Sequence, residues 1–202
     1  MSTTRTTLRT TGVALRAMLV FTLVLGLGYT TLITGIGQLA LPWQANGSPV
    51  QNQAGETVGS SLIGQSFTDA DGDPLPEYFQ SRPSAAGEGY DGGASGGSNL
   101  GPENADLVSV IEERRAAIAE FEGVDPADIP ADAVTASASG LDPHISPAYA
   151  MLQVPRVAEA RGIDEAVVRE LVESIVQARD LGFLGEPRVN VLELNLALDV
   201  RD

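Results

Sequence analysis

The chain has 202 residues, enough for one domain and an anchor, and its aromatic content of 5% leaves a core built mostly from aliphatic side chains. It contains no cysteine and no lysine, which excludes disulfides, thiolate metal sites, thiol catalysis and any Gly-Lys-Ser/Thr phosphate loop. Arg5, Arg9 and Arg16 precede the first apolar run with no acid among them. The other nine arginines share residues 42–202 with all 27 acids, about −18 in total, a balance unsuited to nucleic acid or to anionic lipid.

Ala17 to Leu41 is 25 residues without a charge. At about 1.5 Å per residue it more than covers a hydrocarbon core of about 30 Å, and it is longer than the apolar region of a cleaved signal peptide. Arginine on the N-terminal flank alone predicts residues 1–16 in the cytoplasm and the chain from Pro42 onward outside. Pro42 ends the helix, and Trp43 suits the outer interface. Gly28, Thr31, Gly35 and Gln38 fall on one α-helical face, where small residues admit a second helix and Gln38 offers a hydrogen bond across the contact.

Residues 42–57 read as a polar tether and 58–202 as an extracytoplasmic domain. Val58–Ile63 predicts a short strand. Asp69, Asp71 and Asp73 have the spacing of a calcium loop, but Pro74 and Gln80 stand where its glycine and glutamate belong, so solvated loop acids are expected. Seven glycines between Gly87 and Gly101 predict a loop without a core of its own. Asn104 caps a helix with Leu107, Ile111, Arg114, Ile118 and Phe121 on one face, stopped by Gly123 and Pro126. Ala133–Ser137 reads as a second short strand. Ser146 caps a helix that Pro155 interrupts and Gly162 ends. Asp164 caps a further helix, with Val168, Leu171, Val172 and Ile175 as its apolar stripe and Gly182 as its end. The tail from Val189 allows a strand by alternation, but Asn190 and Glu193 resemble a capping box and favour a helix. The fold class is α+β: one N-terminal transmembrane helix, then a single extracytoplasmic mixed α/β domain.

The chain has one histidine, His144. With Asp142 and Ser137, Ser139 or Ser146 it could make a triad, but no G-x-S-x-G elbow accompanies it, and a role holding a proline-rich turn is the commoner one. A single histidine is also poor grounds for a zinc site. Tyr78-Phe-Gln-Ser-Arg-Pro-Ser84 packs two aromatics, an amide and an arginine into a mostly aliphatic chain, and Arg82 suits a carboxylate of this chain or of a partner.

These segments resemble a known family, the C subunit of the Kdp-type high-affinity potassium-transporting ATPase. The matching blocks are Gly59–Gln65, Tyr78–Ala85, Ser95–Pro102, Val134–Pro147, Gln153–Ala158 with Ala160–Gly162, and Leu184–Asn195. They occur in order from the anchor almost to the end. Ala138, where glycine is expected, and the acids at 69–73 are departures that touch no assigned role. The resemblance implies a non-catalytic accessory subunit in the cell membrane. Its implied partners are a channel-like potassium-selecting subunit, a P-type ATPase catalytic subunit, a small membrane peptide, and lipid around the anchor. It implies no directly bound cofactor, since ATP and potassium are handled by the partners. The family subunit is described as a chaperone raising the ATPase subunit's affinity for ATP; a domain outside the membrane fits assembly better. Gly28, Thr31, Gly35 and Gln38 in the anchor, with Tyr78, Gln80, Arg82, Asn99, Asp142 and His144 in the domain, are the candidate subunit contacts. The competing reading is a membrane-anchored hydrolase built on His144 and a nearby serine.

Overall fold

The computed structural model describes residues 2–201, with side chains from Thr6 onward, so the side chain of Arg5 lies outside the described residues. The chain divides into two compact units, residues 1–48 and 49–202.

The first unit is a long helix with a bend after it. Helix α1 (Ser2–Phe21) passes into a π-helical stretch (Thr22–Tyr29) and then into α2 (Thr30–Ala40). Residues 2–16, expected as a tail, are therefore helical and continuous with the apolar run. The stretch Thr6–Ala40 is long and apolar enough to cross a membrane. In the π stretch the Thr30 hydroxyl donates to the carbonyl of Leu25, five residues back. The helix breaks at Leu41, whose φ of −137° and ψ of 55° leave the helical region that a following proline disfavours. Pro42 then opens the one-turn helix α3 (Pro42–Ala45).

The second unit begins at Pro49, inside the segment expected to be a tether. Strands β1 (Pro49–Gln51) and β2 (Thr57–Ser60) pair antiparallel, with a register shift between Val50 and Gln51. Asn52 closes the hairpin: its backbone and side chain both bond Glu56. From Ser61 to Asn104 the chain has no helix or named strand, yet Phe79 and Ala86 on it are wholly buried. Helix α4 (Ala105–Glu122) starts at the Asn104 cap and ends at Gly123, where φ is +68°. The expected face, Leu107 to Phe121, is its half-buried side.

Ala133–Ser137 is not a strand. Residues 131–134 make one helical turn, α5 (Ala131–Val134), because Pro130 sets its start and the Thr135 amide and hydroxyl both donate to the Ala131 carbonyl. The strand lies later, at β3 (His144–Ile145), antiparallel to β4 (Val189–Asn190). Helix α6 (Pro147–Arg161) starts at Ser146 as expected but runs through Pro155 unbroken. Pro155 is on the exposed face, where the backbone bond its ring removes faces solvent. Helix α7 (Glu165–Ile175) buries Val168, Leu171 and Val172 and stops at Val176, well before Gly182. Gln177 cannot continue it, because its N–H and carbonyl pair with Arg188 in a bridged loop. The tail is helix α8 (Val191–Asp199), with Asn190 accepting from the Glu193 amide as a cap.

The core is aliphatic. Val154 and Val157 of α6, Val168 and Val172 of α7, and Leu194 and Leu198 of α8 close around Phe79 and Val189. The domain is thus a mixed helix-and-strand fold in which helices carry the core and two small sheets fix its edges.

Candidate functional site

The residues singled out by type fall into three places. In the first, the polar side chains hold an extended segment against the helices. Phe79 donates its N–H to Asn195 Oδ1 (2.9 Å) and accepts from Asn195 Nδ2 (3.0 Å). Gln80 does the same with Gln153, at 2.6 and 3.2 Å. Two buried amides on α8 and α6 thereby take the role of a neighbouring strand, since backbone groups in a dry core need partners. Arg156 donates to the carbonyls of Pro76 and Tyr78, and Arg161 to that of Glu77. Arg161 also stacks over the Tyr78 ring, 4.8 Å from its centre. Gln80 spends its own amide on the carbonyls of Phe67, Leu75 and Tyr78. Tyr78 and Gln80 are thus tied to the fold. Gln153, Arg156, Arg161 and Asn195 carry this clamp, and the sequence reading gave them no role. The signal was available in Gln153 and Arg156, one helical turn apart and so on one face.

In the second place, Arg82, Asp142 and His144 meet. Arg82 donates to Asp142 Oδ2 at 3.1 Å, and its remaining N–H groups reach the Thr135 carbonyl. Asp142 Oδ1 accepts from the His144 backbone N–H and lies 3.0 Å from His144 Nδ1. Burial pushes the Asp142 carboxyl up, but the two His144 hydrogen bonds, with the charges of His144 and Arg82, outweigh it and hold the group below the usual carboxylate range. Tyr90 closes the cluster by donating to the Arg82 carbonyl at 2.7 Å, and its phenol is pushed up to about 12, chiefly by burial.

No serine serves His144 as a nucleophile among the described residues. Ser146 donates to Asp132 and accepts from the Tyr149 amide as the cap of α6. Ser137 and Ser139 face each other at 3.3 Å, and Ser139 also accepts from the Leu141 amide. A triad needs a hydroxyl within hydrogen-bond reach of the base. The cluster instead pins the turn between Gly140 and Pro147.

The third place is scattered. Asn99 is exposed on the glycine-rich loop, with φ at +54°. Asp69, of the suspected calcium loop, accepts from the amides of Asp71 and Asp73. In the first unit, Thr31 and Gly35 keep α-helical spacing within α2. Gly28 lies in the wider π turns, so α-helical spacing no longer fixes its alignment with them. Gln38 is engaged within its own unit, accepting from Asn46 Nδ2 at 3.2 Å.

Known proteins match the chain over nearly its whole length. Residues 11–200 match the family described as KdpC, K+-transporting ATPase, c chain. A protein named potassium-transporting ATPase KdpC subunit from Caulobacter vibrioides is 54% identical over 189 residues, 93% of this chain and 91% of that protein. Proteins of the same name from Kineococcus radiotolerans and Methylococcus capsulatus are 53% and 51% identical, covering 95% and 92% of this chain and 93% and 95% of their own.

Proposed function

The chain belongs to the KdpC family of K+-transporting ATPase c chains, and from that premise we propose that it is the membrane-anchored accessory subunit of an ATP-driven potassium pump, acting in assembly and support of the complex. The observation that carries this reading is that relatives named as a pump subunit match both the apolar helix and the domain. Among the described residues, the serines nearest His144 in sequence are engaged by the fold, Ser146 as the cap of α6 and Ser139 in its own turn, which favours a binding role over a hydrolase. Its partners are a channel-like potassium-selecting subunit, a P-type ATPase catalytic subunit and a small membrane peptide. ATP and potassium are their business. Purification of the chain from membranes in mild detergent tests this: the other pump chains are expected to come with it. Recovery of the chain alone would refute the reading.

The arginine flank supports an N-terminus inside and a domain outside. Protease added to spheroplasts is therefore expected to digest the domain and spare residues 1–16. A mature chain beginning after Gly28 or Gly37 would mean the helix is a cleaved leader.

We propose that the small residues of the anchor, Gly28 in the π stretch and Gly35 in α2, admit close approach of a helix of the channel-like subunit. A Cβ at Gly35 meets no atom within 4 Å, and one at Gly28 meets only the Leu23 carbonyl at 3.5 Å. Leucine at both sites therefore leaves the helix itself unhindered while blocking close approach of another. The Gly28→Leu/Gly35→Leu double variant is expected to be lost from the purified complex, and Leu23→Ala or Leu32→Ala to be retained. Retention of the double variant would leave the outer domain as the element that holds the chain in place.

A further inference from the structure

Between α7 and β4 the chain projects a narrow loop, Gln177 to Arg188, whose tip is apolar and open. Leu181 is 83% exposed, Phe183 69% and Leu184 49%. The projection is built as a ladder. Gln177 and Arg188 exchange both backbone bonds at 2.8 and 3.0 Å, and Asp180 and Leu184 exchange theirs at 2.9 Å each. Ion pairs Arg179–Glu186 and Arg188–Asp180 brace its sides. All four charges of the projection are thereby paired, and it is neutral in a domain of about −18.

Leu181 is the least expected residue. Its φ is +54° and that of Gly182 is +82°, and the Phe183 amide donates to the Asp180 carbonyl at 3.2 Å. These are the φ signs and the closing bond of a type I′ turn, whose central positions favour asparagine, aspartate or glycine. A leucine there raises the energy of the free chain twice, once through left-handed backbone and once through apolar surface left in water. Nothing within the domain recovers either cost, since the side chain is open. Local strain without local gain points to a use outside the chain.

We infer that the Leu181–Leu184 tip is an anchor that inserts into an apolar crevice on the outer face of a partner polypeptide of the pump, an inference that rests on the subunit reading above. A braced loop arrives already ordered, so little entropy is lost on docking, and a buried Leu–Phe pair has the character of an interface hot spot. A polypeptide fits better than the bilayer. A fluid bilayer would accept these side chains on any turn, whereas a leucine held in left-handed backbone on a braced ladder suits a crevice of fixed shape, and both arginines of residues 177–188 are engaged in ion pairs rather than free for headgroups.

The test places a photo-reactive benzoylphenylalanine at Phe183 in the complete complex in its membrane. A cross-link to another pump chain is expected. Adducts with lipid alone would assign the tip to the bilayer, and adducts within this chain alone would assign it to the fold; either overturns the inference. If the unmodified chain brings no pump subunit on purification, the subunit reading itself has failed. If the complex forms and Phe183 captures no other chain, only the tip assignment has. Leu181→Asn supplies a second measurement. Asparagine suits the turn, so the thermal midpoint of the full chain is expected to hold or rise, while retention in the complex falls about tenfold or more. A lower midpoint with the complex intact would show that the leucine serves the fold.

Discussion

Arg156→Met is expected to destabilise the domain by about 3–5 kcal/mol at neutral pH, the range for removing one partner of a buried ion pair. Arg156 and Glu122 meet at 2.9 Å with side chains 8% and 1% exposed. The two are not equivalent. Arg156 has further acceptors in Pro76, Tyr78 and Gln153 and stacks on Phe121, whereas the bond from Arg156 is the one that Glu122's carboxylate is seen to accept. Burial already holds the Glu122 carboxyl above its ordinary range, with the Arg156 bond and charge opposing. A methionine fills the space of the arginine stem but strands the carboxylate, which then takes up a proton more readily still. The sign follows. A carboxyl whose folded pKa is raised contributes most below its unfolded pKa, and that contribution is lost as pH rises through the folded value. The penalty of Arg156→Met should therefore be largest at pH 8 and shrink towards pH 5, in urea unfolding of the full chain in detergent. Glu122→Gln should cost no more than about 1 kcal/mol, because the amide oxygen still accepts from Arg156 and the buried charge is gone. Equal losses for the two variants, or a penalty flat with pH, would show that the pair acts by packing and not by charge.

That asymmetry also explains what the sequence could not announce. Helix caps were legible because each is decided within four residues: Asn104, Ser146, Asp164 and Asn190 all accept from amides of the helix that follows. The anchor was legible because 25 uncharged residues admit few alternatives. The short strands were not. Ala133–Ser137 has the residue types of a strand, yet strand pairing depends on a partner far along the chain, and the partner Val189–Asn190 chose His144–Ile145 instead. The end of α7 was missed for the same reason, since Gln177 leaves the helix to pair with Arg188.

The candidate site divides along the same line. Arg82, Asp142 and His144 were named from residue type and do converge, because Asp142 and His144 are two residues apart and Arg82 enters through a contact sixty residues distant. Gln153 and Asn195 were passed over. An amide on a helix looks like a surface residue until the extended segment it pairs with is seen, and here that segment lies 73 and 116 residues away.

Gly140→Ala is expected to cost about 3 kcal/mol or more, a fall of roughly 6–12 °C in the thermal midpoint for a chain of this size. Gly140 has φ at +67°, and a Cβ there would meet the Ala86 amide nitrogen and the Gly96 carbonyl at 2.7 Å each. Both obstacles are backbone. The glycine-rich loop crosses the Ser137–Leu141 turn at this point: Gly96 donates to the Ser139 carbonyl and Ser84 Oγ to the Gly140 carbonyl. Moving either strand of the crossing would also disturb Ser84, which accepts from the amides of Ala86 and Tyr90. Two residues beyond Gly140 stands Asp142, so the Arg82–Asp142–His144 cluster depends on the same crossing. Gly123 provides the control. Its φ is +68°, nearly the same, but a Cβ there meets nothing within 4 Å. Gly123→Ala therefore carries only the backbone term of about 1 kcal/mol. The difference between the two variants isolates the crossing itself. Equal losses at both positions would mean that the loop gives way freely, and that the glycine-rich segment is not held by the turn beneath it.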